Sequence, residues 1–133
     1  MLAPNKAFPK AKAAATKALE LDDNLGEAHA SVAFCLDLFY WDWKSAEAQF
    51  KRAIALSPSY ATAHQWYAWH LLVTGRKEEA IAELTKSEAL DPLSLIIGAD
   101  IADALLIAHE YDESMQQSRK TIEMDPSFAM AHY

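Results

Sequence analysis

Ser59-Tyr60-Ala61-Thr62-Ala63-His64 recurs as Ser127-Phe128-Ala129-Met130-Ala131-His132, and Glu27-Ala28-His29-Ala30 occupies the matching place upstream. What precedes each block repeats as well. Ser57-Pro58, Asp91-Pro92 and Asp125-Pro126 each close an apolar, charged, apolar run, and the prolines stand 34 residues apart. Asp22-Asp23 closes a similar run, Ala18-Leu19-Glu20-Leu21, at a spacing of 35 from Asp23 to Pro58. Agreement inside the period as well as at its ends marks tandem copies of one supersecondary unit.

Each period turns once. Ala63, Tyr67 and Leu71 recur every four residues, as one helical face requires, until Thr74-Gly75-Arg76 interrupts them. Gly tolerates the left-handed conformation that ends a helix. Lys77-Glu78-Glu79-Ala80-Ile81 then opens a second helix whose apolar side carries Ala80, Leu84 and Ser87. Each proline stops that second helix, because it lacks an N–H and biases its predecessor away from helical angles. Ala46, Ala80 and Ser114, with Ala53, Ser87 and Thr121, are small enough to let paired helices approach closely. Only 3 Gly and 5 Pro occur in 133 residues, too few for many hairpin turns, and Ala, Leu, Glu and Lys are good helix formers. An all-α fold is expected.

These features resemble the tetratricopeptide repeat family over nearly the whole chain. The family's Leu-Gly pair stands here as Val32-Ala33, Tyr67-Ala68 and Ile101-Ala102, and its first-helix aromatic as Leu36, Leu71 and Leu105. Its first-helix Trp is replaced by His29, His64 and Gly98, and Ser114, Ser118 and Thr121 stand where Ala or aromatics are usual. Tyr40-Trp41-Asp42-Trp43, Tyr67-Ala68-Trp69 and Leu90-Asp91-Pro92-Leu93-Ser94-Leu95-Ile96-Ile97 carry a nearer likeness. It is to repeats beside effector domains in bacterial regulators: transcriptional activators, serine/threonine kinases and cyclases.

The resemblance implies a right-handed α-solenoid of antiparallel helix pairs with about seven helices. They are expected at residues 9–21, 25–39, 44–56, 60–74, 77–90, 94–109 and 112–124. The divisions are 8–23 as the second helix of a truncated repeat, repeats at 24–58, 59–92 and 93–126, and a truncated start at 127–133. Neither end carries a polar cap, so self-association through the ends is expected.

In the family, first helices line a concave groove. By helical spacing that groove is expected to present Glu27, Ala30, Phe34 and Asp37, then Thr62, Gln65, Trp69 and Leu72, then Ile96, Ala99, Asp103 and Leu106. All 12 Lys and Arg fall in second helices or turns, leaving Glu27, Asp37, Asp100 and Asp103 to make the groove mildly acidic. The expected partner is a protein or peptide with apolar anchors and a Lys or Arg. Family members that grip a C-terminal carboxylate do so with Lys, Asn and Arg. The matching positions here are Ala30, Phe34, Trp66, Ile96 and Asp100, so that clamp is not expected.

Other chemistries fare worse. A formal net charge of -7 disfavours nucleic acid, whose phosphates call for a basic face. Cys35 is the single cysteine and has no internal partner. Cys35 and His29 lie six residues apart, about 240° round a helix, and cannot act as a nucleophile and base. His29, His64 and His132 recur in register, yet helices lie about 8–10 Å apart while metal–nitrogen bonds are about 2 Å. Packing histidines are expected, with no catalytic residue, metal or cofactor. The most apolar stretch, 93–108, is interrupted by Asp100 and Asp103, and no signal peptide opens the chain. A cytoplasmic location is expected, or an extracytoplasmic one if a preceding segment carries an anchor.

The rings of Phe39-Tyr40-Trp41-Asp42-Trp43 are expected to cover the junction between helices rather than form a contact patch, and Trp69 is the better contact candidate. Asp22-Asp23 reads as a solvated turn. The chain is therefore expected to be a protein-interaction module of a larger regulatory protein. The rival expectations are an architectural spacer or dimerisation element with an empty groove, and an accessory part of a signalling enzyme.

Overall fold

The computed structural model describes residues 25–38 and 41–125, together with residues 10, 13, 14, 16 and 17. Those five isolated residues are helical. The rest of the helix expected at 9–21, Asp22-Asp23, His132 and the repeat start expected at 127–133 lie outside the described residues.

Six helices follow in order: α1 Gly26–Leu38, α2 Trp43–Leu56, α3 Ala61–Val73, α4 Lys77–Leu90, α5 Leu95–Ile107 and α6 Tyr111–Met124. No strand occurs among the described residues. Every boundary of these six lies within two residues of its sequence expectation. Asp42 caps α2, accepting the Ser45 N–H at 3.3 Å, and Ser94 caps α5, accepting the Ile97 N–H at 3.3 Å. Each cap satisfies a backbone donor that the first helical turn leaves without an intrahelical partner.

The turns closing the first helices share one geometry. Gly75 has φ +82, and its N–H bonds to Leu72 O while the Arg76 N–H bonds to Leu71 O at 2.8 Å. His109 has φ +64, and the same pair of bonds runs from His109 to Leu106 and from Glu110 to Leu105. This is a helix end whose last carbonyls are satisfied by a left-handed residue and its successor. At the first turn Trp41 takes the left-handed position with φ +56, but the Asp42 N–H reaches back to Leu36 O, one residue further. The extra residue of the 35-residue spacing is thereby lodged between Leu36 and Asp42.

A left-handed conformation disfavours any side chain by about 1–2 kcal/mol, offset in part by the chain entropy of glycine. Trp41→Gly is therefore expected to raise stability by about 0.5–1 kcal/mol, read as a higher thermal midpoint. A lower midpoint would mean that the indole is held by packing.

The chain divides into two compact units, 1–66 and 67–133, the division falling inside α3. In the first, α1 packs along α2. Ala30, Ala53 and Ala63 form a fully buried cluster flanked by Ile54, Tyr60 and Trp66. Small residues at this contact let backbones come close, and Gly26 sits so near Ser57 that a Cβ there would collide with its side chain. Phe50 is the largest fully buried side chain among the described residues.

In the second unit, α5 packs against both α4 and α6. Ala80, Leu84 and Ser87 are the buried residues of α4, and Ser114 and Thr121 those of α6. The small positions expected to bring helices together are thus all buried. Ser114 also donates to Ala102 O at 2.7 Å, which supplies a buried hydroxyl with an acceptor. Glu88 of α4 accepts from Gln117 at 3.0 Å and lies 3.5 Å from Lys120, joining α4 to α6 at the surface.

Candidate partner-binding faces

Helices α1, α3 and α5 contain no Lys or Arg; α1 carries Glu27 and Asp37, α5 carries Asp100 and Asp103, and α3 carries no Asp or Glu. In the first unit, Glu27 is exposed, and Phe34, Asp37, Thr62 and Gln65 are half-buried. Phe34 of α1 packs on Trp66, ring centroids 4.5 Å apart. Ala30 belongs to the buried cluster. Its place on the expected face is corrected: it is a spacer between helices, with no surface to offer.

In the second unit, Trp69 and Leu72 are half-buried on α3, while Ile96 is 51% and Leu106 52% exposed on α5. Asp103 lies exposed between these two in the sequence of α5. The opposite side of α5 is packed through Ile97, Gly98, Ile101, Ala102 and Ala104. An apolar helix of a compact protein ordinarily hides its apolar side, and α5 is apolar on two sides with only one of them covered. Ala99 is buried, and so is Asp100, which had been expected to add charge to this face. Both expectations are corrected by the depth at which α5 sits between its neighbours. The acidic character of this face rests on Asp103.

Partial burial of the Asp103 carboxyl raises its pKa above the usual carboxylate value, although the residue as a whole is exposed. Desolvation disfavours the charged form. The fold therefore holds this proton more tightly than the unfolded chain does, and stability contributed by the group falls as pH rises through that window. A cation brought against Asp103 would reverse the effect.

His29 and His64 behave as packing residues. His29 is buried and donates from Nδ1 to Gln49 Oε1 at 2.6 Å, and buried His64 donates from Nε2 to Pro58 O at 2.9 Å. No group of three His, Cys, Asp or Glu among the described residues is placed to hold a metal. Cys35 is buried. Among the described residues no helix is long and apolar enough to cross a membrane.

The turn between α1 and α2 departs from expectation. Trp41 is 74% exposed and Trp43 41% exposed, with near-parallel rings 6.3 Å apart. Cover over the helix junction was expected of them, yet both are exposed, and Trp41, the more exposed, has a left-handed backbone. Stepping 34 residues back from Gly75 would have found this position in the sequence.

Residues 42–96 match the tetratricopeptide repeat family. The chain carries tetratricopeptide repeats. A stretch of 92 residues, 69% of the chain, is 33% identical to transcriptional regulator HilA of Salmonella typhimurium, and spans 16% of that protein. Similar solved structures include a thermophilic tetratricopeptide repeat protein of Thermus thermophilus, with a TM-score of 0.85 at 18% identity. The likeness covers 95% of this chain and 70% of that one. MamA of Desulfovibrio magneticus gives a TM-score of 0.78 at 19% identity, over 92% of this chain and 68% of the other. The fold is thus the all-α arrangement of antiparallel helix pairs that these tetratricopeptide repeat structures share.

Proposed function

We propose that this chain is a protein-interaction module that takes a peptide or protein segment along its first-helix faces, within a larger bacterial regulatory protein. The observation that carries the reading is the uncovered side of α5, where Ile96 and Leu106 stand half exposed with Asp103 between them. Apolar surface left open on one helix is favourable to bury, at about 25 cal/mol per Å². A lone carboxylate among apolar side chains selects a partner with a matching cation. Glu27, Phe34, Asp37, Thr62 and Gln65 supply the corresponding face of the first unit, and Trp69 and Leu72 extend that of the second. The regulatory context rests on the likeness to the transcriptional regulator, of which the chain spans 16%.

The test is peptide display against the full chain and Trp69→Ala. Sequences with apolar anchors and a Lys or Arg should be enriched, and Trp69→Ala should bind them about tenfold more weakly at unchanged helicity. If nothing is enriched, the repeats are a spacer; equal binding by both forms would remove Trp69 from the contact.

A further inference from the structure

The turn joining α1 to α2 carries two large indoles on the surface, beyond the faces assigned above. Trp41 is the more exposed, and its backbone is left-handed, where the next repeat has Gly75. Folding alone would favour glycine there. An exposed bulky residue held in a disfavoured conformation points to a use for its side chain. Between the two indoles in sequence stands Asp42, also exposed. Its Oδ1 accepts the Ser45 N–H, so the helix cap fixes the carboxylate in place, and a carboxylate has capacity for further donors.

We propose that Trp41, Asp42 and Trp43 form a second contact site, which takes an arginine-bearing segment of a partner protein. A guanidinium is planar and weakly hydrated, so it stacks on an indole face while donating to a carboxylate. Lysine can satisfy Asp42 but does not stack in the same way, and a neutral apolar group leaves the carboxylate unused. The net charge of -7 steers a basic partner toward the chain and repels a second copy of it. Two side chains also offer much less than the roughly 1,000 Å² that a specific protein dimer buries. Lys44 follows directly and is exposed, but the cap orients the Asp42 carboxylate and not that ammonium.

The four Trp residues make the test direct. The full chain labelled with nitrogen-15 at the indoles is titrated with a capped Gly-Arg-Gly-Arg-Gly peptide and its Lys and Gln counterparts. The Trp41 and Trp43 indole signals should move with the Arg peptide, about fivefold more weakly with Lys, and not with Gln, while Trp66 and Trp69 stay. Trp41→Gly, at a position that prefers glycine, should fold and bind about tenfold more weakly. Asp42→Asn keeps a good cap and should weaken binding by a similar factor. Equal shifts with Arg and Gln, or unchanged affinity in Trp41→Gly, would overturn the site. Movement confined to Trp66 and Trp69 would overturn it too while leaving the first-helix reading standing. Dimerisation that Trp41→Gly abolishes would replace the partner with a second copy.

Discussion

Phe50→Ala is expected to lower the stability of the chain by about 3–5 kcal/mol, a large part of the roughly 5–15 kcal/mol of a whole domain. The magnitude follows from how little else α2 buries. Its buried residues are Ala46, Phe50 and Ala53, so the benzyl group is the one large side chain of the helix that is fully buried, with Ile54 packed only in part. Phe50 is fully buried, and its removal takes away both the transfer free energy of the ring and the contacts of the atoms around it. Helices joined by small residues are already close, which leaves little room for collapse into the space. The repeat supplies the comparison. Leu84 stands 34 residues later on α4 and is also fully buried, whereas Ser118, a further 34 on, is half-buried on α6. Leu84→Ala should therefore fall in the range of about 2–5 kcal/mol, and Ser118→Ala should change little. Urea titration checks the order: the midpoint should drop most for Phe50→Ala, next for Leu84→Ala, with the slope unchanged. A loss under 1 kcal/mol at Phe50 would contradict the packing of α2 described above.

The same period explains what the sequence disclosed and what it did not. Helix ends were readable because their signals are local: Gly75 in the left-handed position, proline after each second helix. The small residues at helix contacts were readable because their spacing is helical. Burial within one face was not. Ala30 and Ala99 fall on α1 and α5 faces by angle, and Asp100 was counted among the first-helix charges, but how deep each helix sits depends on neighbours that spacing does not specify. The Trp41–Trp43 turn misled for another reason. Aromatic residues ordinarily bury their rings, whereas Trp41 is exposed at a left-handed position of the turn, which its hydrophobicity does not signal. Its register with Gly75 and His109 was present in the numbering as a structural signal, stronger than hydrophobicity at that position.

Gly98→Ala should lower stability where a helix-interior glycine would normally be improved by alanine. Alanine is favoured over glycine in a helix by about 1 kcal/mol. At Gly98, however, a Cβ would lie 2.5 Å from Thr121 Oγ1 and 3.3 Å from its Cγ2. Thr121 cannot step aside cheaply: it is buried, β-branched, and its hydroxyl donates to Gln117 O at 3.0 Å. α5 and α6 must then part, and overpacking of this kind costs about 1–3 kcal/mol. The first repeat places its bulk the other way, with His29 on the first helix and Ala53 on the second in the positions that Gly98 and Thr121 hold in the third. Volume at the contact is shared between two helices, and either can carry it. In a Thr121→Ala background the obstructing atoms are gone, so the same Gly98→Ala change should become stabilising by about 1 kcal/mol. The reversal of sign is measured in a double-mutant cycle by chemical denaturation. Gly98→Ala that stabilises the wild-type chain, or has equal effects in both backgrounds, would show that the α5–α6 spacing is not set by this pair.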